Sequence, residues 1–532
     1  MIWVKRATRI LYTALIAAVC FGALRSPSLD FTALPDVAKL ACLGLLLLAL
    51  LITLTPPLQK LLVRALAWLT GCVQRHIKAC SVAFMLCIIA YQVVLVVFDR
   101  AEYGFDAGTI YNMVAMEPTG DAFISEYLSM YPNNQLIFLI MHMISKFSGG
   151  PHIFVWDLFN LLCIDITIIM TALAAGLGYS RAHGYATLLV GGLLLGFNPI
   201  VLVVYTDTVV LPFVSGGLLL LAWHKADHPL YMQLLCGLGL GCSVVLSYLM
   251  KPSALVPFIA VGMVLGLKGF ISLWQRRSGQ ESAESQPAPQ RLADKAAFKA
   301  CSLLICVLLA FATIYYAFGW AVDKQSTFVY RQEESFPATH FIMMGLSEPV
   351  GSYSLDDVQA TAAAGSRAEK VAYNLSVIRQ RLGDFGLAGY LSFLTRKFTY
   401  NTADGTFTFR TEGIKPTSED LTPEGWIAGR LASLYFRDGS NFPVFRFYSQ
   451  LVWIAMALLM LCSWRADDDL TSILRLAMIG ALVYPLLFEG GRSRYLVQFM
   501  PVICLLAASG LVALRQARQA RTATPYSGSS VS

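Results

Sequence analysis

Long apolar runs alternate with short charged loops along most of this chain, and that alternation predicts membrane-crossing helices. A crossing needs about 20 mostly apolar residues. Runs of that kind fall near 8–24, 37–54, 80–98, 152–177, 184–200, 209–223, 231–249, 252–268, 300–320, 447–464, 471–488 and 496–514. Two stretches, 99–150 and 321–446, stay polar for much longer. Inside the first, 135–147 is apolar but too brief to cross, and it carries His142 and Lys146. The first run follows Lys5, Arg6 and Arg9 as a signal peptide would. No small-x-small cleavage site follows it, so it reads as a retained span.

The basic residues decide the parity of these crossings. If 135–147 does not cross, one side of the membrane collects Lys5, Arg6, Arg9, Lys60, Arg64, Arg75, Lys78, Arg181, Lys225, the basic loop 268–299, Arg465, Arg515, Arg518 and Arg521. The short loops of the other side keep only Arg25, Arg100, Lys146, Lys251, Arg492 and Arg494. A crossing at 135–147 would erase that asymmetry. The positive-inside rule therefore predicts twelve spans, both termini in the cytoplasm, and 135–147 as a half-helix in the outer leaflet.

The reading divides the chain into five parts. Residues 1–79 hold two spans and a basic cytoplasmic loop, and 80–320 form a membrane core. Residues 321–446 form an extracytoplasmic loop domain, 447–514 the last spans, and 515–532 a tail. In the loop domain, 366–382 reads as a surface helix. In 384–398, Phe385, Tyr390, Leu391, Leu394 and Phe398 share one face, with Arg396 and Lys397 flanking it. That pattern suits either a helix resting on the membrane or one packed into an outer domain. The inner loop 275–298 and the tail after Arg521 are polar and low in complexity, as disordered segments are. No internal repeat is visible, against secondary transporters built from inverted halves.

Composition agrees with this picture. The 532 residues are 56% hydrophobic and only 14% charged, with mean hydropathy +0.61; soluble domains carry about a quarter charged residues. The fold class is an all-α polytopic membrane protein, with a mainly helical outer loop domain. The net charge of +7 resides in loops between spans, so it reports orientation and not nucleic-acid binding. None of the 12 cysteines falls in the two long polar loops, which excludes a disulfide framework or cysteine metal site there.

Charged groups at the outer face cluster in four places: Asp99, Glu102, Asp106, Asp121 and Glu126 in the first loop; Asp207 in Tyr205-Thr206-Asp207-Thr208; Lys251 before Pro252; and Glu489-Gly490-Gly491-Arg492-Ser493-Arg494-Tyr495. Asp207 is an ionisable group in an otherwise uncharged stretch, which marks a functional site unless it is a solvated loop residue. Asp106 opens a polar loop directly after a span, and a helix N-cap is its alternative role. Arg492 and Arg494 flank a Gly-Gly turn, where guanidinium forks and free backbone amides hold phosphates. They and Lys251 alternatively anchor the chain at headgroups. His340 is a lone loop histidine, with a structural role as its alternative. Together, two carboxylates can orient and deprotonate a hydroxyl, with or without a divalent cation, while the cations meet a departing phosphate. No glycine-rich nucleotide cradle is present, so the activated donor is expected to be membrane-borne.

At these residues the chain resembles the glycosyltransferase C superfamily, which includes protein O-mannosyltransferases and the aminoarabinose transferases of lipid A. That family carries an acidic motif in the first outer loop, often Asp-Glu, of which Asp106-Ala107 keeps the first acid. Tyr131-Pro132-Asn133-Asn134 loosely matches its juxtamembrane motif, Asp207 its second acid, and Arg494-Tyr495 with Pro501 its late Arg-Tyr-Pro pattern. The chain is closer still to uncharacterised Gram-positive members, sharing Tyr-Pro-Asn-Asn, the stretch from His340 to Leu346, and Asp404-Gly405-Thr406-Phe407. This resemblance spans about 80–515.

The resemblance implies that Asp106 and Asp207 are catalytic. Lys251, Arg492, Arg494, Tyr495, Tyr131, Asn133, Asn134 and His340 would then bind substrate, with a divalent metal cation possible at Asp106 and Asp207. The implied activity is inverting transfer of a monosaccharide from a polyprenyl-phosphate sugar donor to a cell-envelope glycan, glycolipid or protein acceptor, at the outer face of the cell membrane. A transporter or flippase of lipid-linked sugars, and an envelope polysaccharide polymerase or ligase, share these features.

Overall fold

The computed structural model of the protein describes residues 2–101, 103–116, 122–224, 228–277, 290–411 and 425–523. Glu102, Asp121, Lys225, residues 278–289 of the inner loop and the tail from 524 lie outside the described residues. Among the described residues, eleven helices are long and apolar enough to cross a membrane, and they coincide with eleven of the twelve runs named above.

The run 184–200 differs. Its helix Arg181–Gly191 passes into the π-turn Gly192–Gly196 and stops before Pro199, whose ring cannot continue it. The backbone freed by that break is not left bare. Asn160 Nδ2, on the buried face of helix Ile153–Gly178, donates to the carbonyls of Val201 (2.7 Å) and Val203 (3.1 Å). Such re-satisfaction makes a broken helix tolerable inside a bundle.

Polar contacts define two ends of the bundle. At one end, Lys5 and Lys268 pair with Asp469, Arg9 with Asp467, and Tyr179 with Thr471. At the other, Arg446 donates to Ser28, Arg410 pairs with Asp99 at 3.0 Å, and Lys397 donates to Phe488 O at 2.7 Å. Residues 181–202 run from the Tyr179 end, where Tyr179 meets Thr471, toward the Asp99 end, where Gln92 donates to Gly196 O, beside the eleven long helices of the described residues.

The first polar loop folds as three helices, Asp106–Ala115, Ala122–Met130 and Gln135–Ser148. The last has 14 residues, a rise of about 21 Å against the about 30 Å of a hydrocarbon core. It begins at Asn134, beside Asp106, and ends at left-handed Gly149 just before His152. Both its ends therefore lie at the Asp99 end, as the half-helix reading requires.

In 321–446 the two expected helices follow each other directly within Arg367–Thr402, separated by a break at Gly386, where φ is +55° and the backbone is not helical. A capping box of Ser366 and Glu369 starts the first. The buried row is Phe393, Lys397 and Asn401, and Leu391 is exposed. Lys397, read as a flanking charge, donates instead to the carbonyls of Gly345, Leu486 and Phe488. The three N–H groups of one ammonium thereby tie this helix to the last two loops at that end.

The N-terminal region brings a second correction. The stretch read as a basic loop, with Cys72 in it, is the helix Pro56–Arg75, and it has no buried residue.

Candidate active site

Asp106 begins the helix Asp106–Ala115, with Phe105 and not Asp106 as its N-cap. Gly108 makes the preceding turn possible, since a Cβ there would lie 1.5 Å from Tyr103 O. Freed from capping, the Asp106 side chain accepts from two phenols, Tyr127 at 3.0 Å on Oδ1 and Tyr205 at 3.1 Å on Oδ2. Asn134 closes the ring by donating to Tyr127 at 2.9 Å and lying 3.2 Å from the Tyr205 hydroxyl; Asn133 donates to Asn134. Burial, and then the charge of Asp106, raise the pKa of Tyr127, Tyr131 and Tyr205, so all three stay protonated.

Asp207 has cations for neighbours. Lys251 pairs with its Oδ1, and Arg494 Nε lies 3.7 Å from its Oδ2. All three are buried, with exposures of 2%, 9% and 5% for Asp207, Lys251 and Arg494. Pro252 disfavours helix at Lys251, which is extended and ends the helix Leu230–Met250 there. The ammonium sits 5.2 Å from the centroid of the Tyr495 ring, and the Arg494 guanidinium 4.2 Å from that of Phe105. Burial lowers the Lys251 pKa, and Asp207 opposes that shift.

The third acid, Glu489, accepts from the Tyr495 hydroxyl at 3.0 Å on Oε1, with Arg492 at 3.9 Å from the same oxygen. Burial raises its pKa, Arg492 opposes, and the charge of Asp106 adds to the rise. The turn that carries it does not present free amides as expected. The Gly490 amide donates to Gly351 O, and those of Gly491 and Arg492 to Asn401 Oδ1. Any phosphate held here would rely on side chains.

Asp106, Asp207, Lys251, Arg492, Arg494, Tyr495, Tyr131, Asn133 and Asn134 thus gather at one end of the bundle. Tyr205 links the two aspartates directly: its hydroxyl bonds Asp106, and Asp207 lies two residues on. His340 is apart from them. It has no exposed surface, and Nδ1 lies 2.8 Å from Thr361 Oγ1. Because Thr361 donates its own proton to Asn374, His340 must be the donor, a structural arrangement inside the loop domain. A divalent cation does not fit at Asp106 and Asp207, whose oxygens are engaged by phenols and by cations. Among the described residues no three His, Cys, Asp or Glu side chains group as metal ligands.

Glu489 was visible in the sequence only as part of a charged turn, and Tyr127 and Tyr205 carried no signal that separates them from other interfacial tyrosines. Two acids inside a span were missed altogether. Asp157 and Asp165, on helix Ile153–Gly178, are buried, and neither Asp157 oxygen has a hydrogen-bond partner. Near Asp157, an open groove of about 450 Å³ is lined by Arg100, Tyr111, His152 and Phe154 among others.

Fold and site together define an all-helical integral membrane protein with a charged, tyrosine-rich cluster at one end of its bundle. Residues 1–513 match a family described as conserved hypothetical integral membrane protein, and the chain belongs to that family. Neither a curated protein nor a solved structure matches it.

Proposed function

We propose that this protein is a membrane glycosyltransferase that moves one sugar from a polyprenyl-phosphate carrier to a cell-envelope acceptor, with inversion at the anomeric carbon. The observation that carries the reading is the convergence of Asp106, Asp207 and Glu489 with Lys251, Arg492 and Arg494 at the ends of neighbouring spans. The acceptor hydroxyl gives its proton to a carboxylate as its oxygen bonds to the anomeric carbon. The bond from that carbon to the carrier phosphate breaks, and the phosphate leaves with the electron pair.

In this reading Asp106 orients the acceptor and takes its proton once a phenol swings off one oxygen. Glu489, which accepts from Tyr495 on Oε1, offers a second site for that proton. Asp207 holds Lys251 and Arg494 in place, and these with Arg492 meet the charge developing on the phosphate. Tyr131, Asn133, Asn134 and Tyr495 shape the surroundings. An outward-facing site in the cell membrane follows from Lys5, Arg9 and Lys268 lying at the opposite end.

One observation favours a rival. Buried acids within a span, such as Asp157 and Asp165, are typical of transport paths. A donor screen separates the readings. Purified protein given polyprenyl-phosphate sugars with acceptor should release polyprenyl phosphate. A flippase in vesicles would move the donor and leave it intact, and a polymerase or ligase would turn over only diphosphate-linked donors.

A further inference from the structure

The helix Pro56–Arg75 lies far from the candidate site, and nothing in the transferase reading uses it. Most of its 20 residues sort onto two halves of a helical wheel, with Val63 the exception on the polar half. Leu58, Leu61, Leu62, Leu69 and Val73 fall on one half, and Lys60, Arg64, Gln74 and Arg75 on the other. The apolar half is uncovered: Leu61 is 63% exposed, Leu62 40% and Leu69 52%. The preceding span, Asp36–Leu54, also has no buried residue. Water is therefore an untenable neighbour for this half of the helix.

Where the helix can lie follows from the contacts of its flanks. The span before it starts close after Ser28, which Arg446 holds at the Asp99 end of the bundle. The span after it, Ile77–Phe98, finishes at Asp99, which Arg410 holds at that same end. Both spans must therefore meet Pro56–Arg75 at the opposite end. A crossing here would put the next span on the wrong side, so the helix is confined to one membrane face. Its length of about 30 Å is then laid along the surface.

Charge selects the lipid. No Asp or Glu occurs after Asp36 until Asp99, while Lys60, Arg64, Arg75 and Lys78 fall in or beside this helix. A basic polar half beside an apolar half is the pattern of helices that lie at an anionic leaflet. We infer that Pro56–Arg75 is an in-plane anchor, with its leucine half sunk among acyl chains and its lysine and arginines recruiting anionic phospholipid headgroups to the face opposite the candidate site. This inference stands whether or not the protein transfers sugar.

The test uses the full-length protein in lipid nanodiscs, spin-labelled one position at a time at Leu58→Cys, Leu62→Cys, Leu69→Cys, Lys60→Cys, Arg64→Cys and Gln74→Cys in a background lacking other reactive cysteines. Collision rates with oxygen and with a water-soluble nickel chelate report depth. The three leucine positions should favour oxygen and the three polar positions the chelate. Equal chelate access at all six, oxygen access at all six, or leucine positions shielded from both reagents would overturn the in-plane placement. For the headgroup preference, spin-labelled phosphatidylglycerol and phosphatidylcholine are compared as boundary lipids. The wild type should favour the anionic lipid at least about twofold, and the Lys60→Gln, Arg64→Gln, Arg75→Gln triple variant should lose most of that preference. No preference in the wild type, or an unchanged one in the variant, would overturn it.

Discussion

Two phenols donate to Asp106, whereas a lysine and an arginine surround Asp207, and this difference in partners separates their roles. Removing the Asp207 charge takes from buried Lys251 the carboxylate it pairs with, so Asp207→Asn should destabilise the fold by about 3 kcal/mol as well as abolish activity. Thermal unfolding in detergent should show the loss, and Lys251→Met in the same chain should recover part of it. Among the described residues Asp106 has no cationic partner within bonding distance, and Asp106→Asn should unfold at the wild-type temperature. Glu489 adds a pH signature. Its raised pKa means that protonation sets in above the ordinary carboxylate value of 4.5, so transfer should fall on the acid side with a midpoint above 4.5. Glu489→Gln should lower the rate and remove that acid limb from the pH–rate profile.

At the scale of single elements, the loop region 321–446 depends on two buried polar side chains. Burial lowers the His340 pKa from 6.5 to about 4. Between these values the unfolded chain binds the proton and the folded chain does not. Stability from this residue is therefore complete above pH 6.5 and lost as pH falls through 4. Protection factors for hydrogen exchange across 338–402, corrected for the intrinsic pH dependence, should fall over that interval, and His340→Gln should flatten the response. Lys397→Met strands three carbonyls and should cost about 3 kcal/mol, read as a lower unfolding temperature.

Neither dependence was legible beforehand, because a lone histidine or lysine in a polar loop does not reveal its burial. Spans were legible for the opposite reason. A crossing helix must be apolar along its whole length, and eleven such helices match the runs in position. The run 184–200 has the same composition, but its break depends on Asn160 receiving the freed carbonyls, a partner that no local pattern announces. Pro56–Arg75 was misread as a loop because its charges were counted without their helical spacing.

At the scale of the whole molecule, the long helices bring the termini of distant spans together. Asp106, Asp207, Lys251 and Arg494 converge although nearly four hundred residues separate the first from the last. That convergence was foreshadowed by charges placed where apolar runs end, since such charges survive only beside a partner or water. The phenol ring around Asp106 was not, because tyrosine is common at any membrane interface. The central claim is that this shared end breaks the bond between a sugar and its lipid phosphate. Its most direct test is a single-turnover assay of purified wild type and Asp106→Asn with radiolabelled polyprenyl-phosphate sugar and an envelope acceptor extract. Wild type should yield labelled acceptor and free polyprenyl phosphate in equal amounts, with the variant slower by at least about a hundredfold. An intact donor with the wild type across the donor panel, or equal turnover by the variant, would contradict it.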